Sequence, residues 1–106
     1  MIERALRDEG TSYHYAKPSE YSEAERDLVT VVTNAIKAKG VNVVAGSSWT
    51  TDAPFRETEE AITAARSKGI LAVEIEAVAL YAFAQASDRI CLAACDEYDG
   101  CGGARF

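Results

Sequence analysis

Residues 70–86, ILAVEIEAVALYAFAQA, are apolar or small except for Glu74, Glu76 and Gln85. Such a segment has few places to go in a water-soluble fold. The front half, Ile70 to Ile75, is rich in branched residues and predicts a strand. The back half, Glu76 to Ala86, is built from Ala, Leu, Tyr and Phe and predicts a helix. A strand and a helix apolar on nearly every side imply a layer of helices packed on a sheet. The two carboxylates then need an explanation, because a carboxylate buried without partners costs several kcal/mol.

The rest of the chain supplies the other layers. Ser22 and Glu25 form a capping-box pattern, and Leu28, Val31, Val32, Ala35 and Ile36 follow at helical spacing. Lys37, Lys39 and Gly40 close that helix with cations and a glycine stop. Val41 to Ala45 reads as a short strand between Gly40 and Gly46. A hydroxyl-rich loop follows from Gly46 to Arg56, then a helix over Glu57 to Lys68 ended by Gly69. Arg89 to Ala94 reads as a third strand, and the chain from Cys95 onward has no pattern. Helices alternating with strands predict an α/β fold with a largely parallel sheet, as one domain over residues 1–94 and an irregular tail over 95–106. In such sheets ligands bind outside the carboxyl ends of the strands.

Charge narrows the partners. A net charge of −6 and a pI near 4.7 argue against nucleic acid, which requires clustered Lys and Arg. No apolar run reaches the ~20 residues that span a bilayer, and the charged start Met1-Ile2-Glu3-Arg4 predicts a cytoplasmic chain. Cys91, Cys95 and Cys101 are spaced unlike a structural zinc site, and His14 is far away in sequence, so reduced thiols and no metal are expected.

Two polar groups fall at predicted strand ends. Glu74 and Glu76 project together if the strand runs through both; if the helix starts at Glu76, its carboxylate sits at a helix N-terminus. A plainer reading makes Glu76 an ordinary first-turn acid and Glu74 a solvated strand end. The loop offers Ser47, Ser48, Thr50 and Thr51 hydroxyls, the Asp52 carboxylate, Trp49 and Phe55 rings, and the Arg56 guanidinium. An aromatic face beside hydrogen-bonding groups suits a planar heterocycle, and the same composition also suits a turn before a helix.

"WTTDAPFRETEE" at 49–60, "GILAVEIEAVALYAFA" at 69–84 and "RDEGTSYHY" at 7–15 together resemble the nucleoside phosphorylases, the purine nucleoside and uridine phosphorylase group. The likeness covers residues 4–94 and concerns the C-terminal half of that family. The family's V-E-M-E-A pattern falls on Val73-Glu74-Ile75-Glu76-Ala77, with Ile75 in place of Met. The resemblance implies that Glu76 accepts hydrogen bonds from the ribose 2′ and 3′ hydroxyls, that Ile75 packs on the sugar, and that Glu74 supports them. It implies base contacts from the loop of Thr51, Asp52, Phe55 and Arg56. The implied reaction is phosphorolysis of a nucleoside, with inorganic phosphate as co-substrate and no cofactor.

The family's glycine-rich phosphate loop and phosphate-binding arginines would precede Met1. The resemblance therefore implies a truncated phosphorylase, weak or inactive as an isolated chain, with sheet edges covered by homo-oligomerisation. Gly100, Gly102 and Gly103 have no following helix and are no substitute phosphate loop, and the surroundings of Asp96 do not match a base-side acid. Two other readings stand beside it. One is a non-catalytic module that binds nucleosides or oligomerises; the other is a small doubly wound domain for anion binding or signalling.

Overall fold

The structure, a computed structural model, describes residues 1–95. Four strands form one sheet: β1 (Ile2–Asp8), β2 (Tyr21–Glu23), β3 (Gly46–Thr51) and β4 (Ile70–Glu74). Two α-helices connect strands, α1 (Arg26–Ala38) between β2 and β3 and α2 (Glu59–Ser67) between β3 and β4, and α3 (Ala77–Ala86) follows β4. The strand order is β2-β1-β3-β4, with β1, β3 and β4 parallel and β2 antiparallel to β1. The fold is thus α/β with a mostly parallel sheet, as the alternating pattern predicts.

Neighbouring residues of a strand face opposite sides of a sheet, and here the two sides carry different helices. Ala5 packs with Ala77, Val78 and Tyr81 of α3, whereas Leu6 and Trp49 pack with Ala61, Ile62 and Ala65 of α2. Val73 and Val78 are 1% and 0% exposed, and burying each contributes roughly 1.5–3 kcal/mol. Tyr81 closes the α3 side: its hydroxyl donates to the Ile2 carbonyl at 2.6 Å and accepts from the Ala93 N–H at 3.1 Å.

Several elements differ from the sequence expectation. The strand expected over Val41–Ala45 lies instead at Gly46–Thr51; Val41–Ala45 carries no strand and leaves Val41 and Val44 exposed. The hydroxyl-rich segment is a central strand because its side chains find partners. Ser47 Oγ accepts from Arg4 Nε at 2.8 Å, Ser48 and Thr50 donate to Glu74, and Thr51 Oγ1 accepts from the Ala53 N–H at 3.1 Å. Polarity therefore costs this strand little.

Ser22 is no cap. It lies in β2, buried opposite Ala5, and Glu25 itself occupies the N-cap of α1, accepting from the Leu28 N–H at 2.7 Å. The buried face of α1 is correspondingly rotated: Val29 and Thr33 are buried, and Val31 and Ala35 are exposed. Arg89–Ala94 is not a strand. Only Ala93 bridges to Ile2, because the Ala93 N–H goes to the Tyr81 hydroxyl instead of to a neighbouring strand. β1 and β2 have no counterpart in the sequence reading; Arg4 and Arg7 interrupt the apolar pattern of β1.

Helix ends are closer to expectation. Gly40 and Gly69 follow α1 and α2 at φ +79° and +73°, the left-handed conformation that glycine adopts without strain. Cys91 is a half-buried free thiol, and Cys95 is exposed; Cys101, Asp96, Gly100, Gly102 and Gly103 lie outside the described residues.

Candidate functional site

The carboxyl ends of β3 and β4 lie side by side, with Thr50 paired to Glu74. Ser48 and Thr50 share one face of β3, two residues apart, and both hydroxyls donate to Glu74 Oε1, Ser48 at 2.8 Å. The other oxygen, Oε2, accepts the backbone N–H groups of Glu76 and Ala77, each at 2.8 Å. Glu74 therefore does the work of a cap for α3, satisfying amides that a helix start leaves without partners. Thr50 Oγ1 also accepts from the Val78 N–H at 3.2 Å, which fastens the first turn of α3 to the sheet.

Glu76 is the contrast. It stands at the N-cap position of α3 with φ −140°, makes no side-chain cap bond, and is exposed. Its carboxylate has no partner among the described residues. Ile75, between the two acids, is 59% exposed and lies beyond the end of β4, where the expected strand over Ile70–Ile75 stops one residue short. Two acids one residue apart thus have opposite surroundings, one consumed by the fold and one presented to solvent.

The neighbouring strand end carries the loop. Thr51 is 2% exposed, and its hydroxyl oxygen takes the Ala53 N–H, so it shapes the turn. Asp52 is exposed; its Oδ2 accepts the Gly10 N–H at 3.2 Å, and its own N–H goes to the Asp8 carbonyl at 3.3 Å. Pro54–Arg56 makes a 3₁₀ turn that leaves Phe55 99% exposed and Arg56 exposed. Below the loop, Trp49 faces the core of the α2 side while its Nε1 donates to Asp8 Oδ2 at 3.0 Å.

Glu74, Ile75 and Glu76 stand on one strand end, and Thr51, Asp52, Phe55 and Arg56 on the next. Ser48, Thr50, Asp8 and Gly10 belong to the same region by their bonds. Only the two-residue alternation of Ser48 and Thr50 signals this in the sequence, and it reads equally as loop composition.

Residues 1–99 match the sequence model of the phosphorylase superfamily. The chain belongs to the phosphorylase superfamily. A search of curated proteins finds no match. Membership agrees with the nucleoside phosphorylase resemblance of the three motifs and with the α/β sheet. No helix among the described residues is long and apolar enough to cross a membrane, and no cluster of His, Cys, Asp and Glu among them has the grouping of a metal site.

Proposed function

We propose that this phosphorylase-superfamily chain holds the nucleoside for phosphorolysis, the exchange of a nucleobase for phosphate at the anomeric carbon of ribose. One observation carries the reading: the carboxylate of Glu76, exposed and without a partner among the described residues, sits on a backbone pinned by its neighbour Glu74. A fixed acceptor-only group suits a vicinal diol, because each ribose hydroxyl donates one charge-assisted hydrogen bond to one carboxylate oxygen. As the glycosidic bond lengthens, positive charge grows on the sugar, and a carboxylate already in place stabilises that state more than the ground state. Ile75 supplies an apolar surface for the sugar. Phe55 offers a ring face to the base, and Arg56 and Asp52 offer a donor and an acceptor for its edge. The phosphate enters as co-substrate.

A second reading, binding without turnover by this chain, is favoured by how the helix starts are used. One first-turn amide in each helix, that of Leu28 in α1, Ala61 in α2 and Ala77 in α3, is met by Glu25, Thr58 and Glu74 at 2.7, 3.2 and 2.8 Å. These are the groups that elsewhere cradle phosphate, and here each is occupied by the chain itself. On either reading the chain acts as a homo-oligomer, which covers the edge of β4 that has no neighbouring strand among the described residues.

One experiment separates the two. Purified protein is incubated with uridine, inosine or adenosine, with and without phosphate, while nucleoside binding is measured by calorimetry. Phosphate-dependent release of base that Glu76→Gln abolishes supports turnover. Binding that Glu76→Gln weakens, without release, supports the second reading. A wild-type protein that neither binds nor cleaves any of the three refutes both.

A further inference from the structure

Arg7-Asp8-Glu9-Gly10-Thr11-Ser12 is the motif to which the site above assigns no ligand. Arg7 is nevertheless 8% exposed and Glu9 9% exposed, both charged types that are seldom buried. Arg7 Nε donates to Ser12 Oγ at 2.9 Å, and Nη1 donates to the Lys17 carbonyl at 2.6 Å and to Ser19 Oγ at 2.7 Å. The guanidinium lies 4.2 Å from the centre of the Tyr13 ring. Nη2 is buried without a partner among the described residues, so the cation depends on these few bonds.

Ser12, fully buried, links the two charges. Its hydroxyl accepts from Arg7 and donates to Glu9 Oε1, while its N–H donates to Glu9 Oε2 at 2.9 Å. A serine hydroxyl thus stands between a buried cation and a buried carboxylate. Buried charge of this kind is poor at raising stability, and its better-attested use is to fix one arrangement.

The arrangement it fixes lies next to the site. Gly10 follows Glu9, and its N–H holds Asp52 Oδ2. Asp8 precedes Glu9 and takes both the Trp49 indole N–H and, through its carbonyl, the Asp52 N–H. Farther along, the Tyr15 ring meets Phe83 of α3 edge-on at 5.5 Å. The segment from Arg7 to Tyr15 therefore touches the loop over 51–56 on one side and the helix behind Glu76 on the other.

We propose that Arg7, Ser12 and Glu9 are positioning residues for the loop that meets the nucleobase. They hold Gly10 where its N–H orients Asp52, and thereby set the loop geometry against the fixed ribose end. This role rests on the nucleoside reading of the site; the bracing of the loop does not.

Two measurements keep those apart. Hydrogen exchange is followed by mass spectrometry without ligand in wild type, Ser12→Ala and the milder Glu9→Gln, which retains an amide oxygen for the Ser12 N–H. Exchange over residues 51–56 rises about fivefold, the worth of one hydrogen bond, while α1 and α2 keep their rates. Unchanged exchange over 51–56 in the folded variants overturns the proposal, and Glu9→Gln decides it if Ser12→Ala does not fold. Nucleoside affinity is then compared in a double-mutant cycle. Ser12→Ala weakens binding about five- to tenfold, and Asp52→Ala added to it weakens binding no further, whereas Glu76→Gln added to it does. Additive losses from Ser12→Ala and Asp52→Ala also overturn the proposal. If the wild type binds no nucleoside, the reading of the site fails and the exchange result alone decides the brace.

Discussion

Replacing Glu74 and Glu76 in turn separates a carboxylate that builds the fold from one that the fold presents. Glu74→Ala removes the acceptor for two hydroxyls and two backbone amides at once. The hydroxyls of Ser48 and Thr50 are buried and lose their acceptor, and the Ala77 N–H is part-buried, while the Glu76 N–H is exposed and regains water. At about 1–2 kcal/mol for each of the three groups not rescued by solvent, the loss is about 3–6 kcal/mol. Glu74→Gln behaves differently. Its amide oxygen can face the two N–H groups, and its NH₂ can donate to hydroxyls that rotate to accept, so the cost is the lost charge at the helix start, about 1–2 kcal/mol. Glu76→Ala removes an exposed side chain with no partner among the described residues and changes stability by less than about 0.5 kcal/mol. Urea unfolding followed by far-ultraviolet circular dichroism measures all three. A Glu74→Ala loss below about 1 kcal/mol refutes the network's importance, and so does a Glu74→Gln protein as unstable as Glu74→Ala.

Three other outcomes follow from the same structure. Burial pushes the Tyr81 hydroxyl up to about 12, against the bond from Ala93 that lowers it. The folded state therefore holds this proton more tightly than the unfolded chain. The stability gained is complete below pH 10 and is lost as pH rises toward about 12, by roughly 2–3 kcal/mol, which unfolding curves between pH 9 and 12 record. Tyr81→Phe flattens that dependence. Gly69→Ala lowers stability by about 1–2 kcal/mol although no atom lies within 4 Å of the new Cβ, because the cost is the positive φ; an equal loss in Gly10→Ala, whose φ is −91°, speaks against that cause. Phe55→Ala leaves the unfolding midpoint unchanged, since the ring is 99% exposed, and weakens binding of the nucleoside; a midpoint shift contradicts that placement.

The sequence by itself determines the α/β class, the glycine-stopped helices, and the family. These rest on local signals: Gly40 and Gly69 end helices through their own backbone freedom, and the apolar segment over 70–86 can only be strand and helix packed in a layered fold. Which polar residues lie inside was not legible, because it depends on partners distant in the chain. Ser47 to Thr51 looks like a loop until Glu74 and Arg4 arrive to bond its hydroxyls. Val41 to Ala45 looks like a strand, yet β1 pairs from Gly46 onward and leaves it outside. Ser22 looks like a cap until β1 claims it for β2. The two glutamates show the division most plainly. Their spacing places both at the carboxyl end of one strand, and only the tertiary structure gives one to the sheet and helix and leaves the other open. The reason is physical: Glu74 faces Thr50 across a parallel pair, within reach of the α3 amides, whereas Glu76 begins the helix and points its charge to solvent.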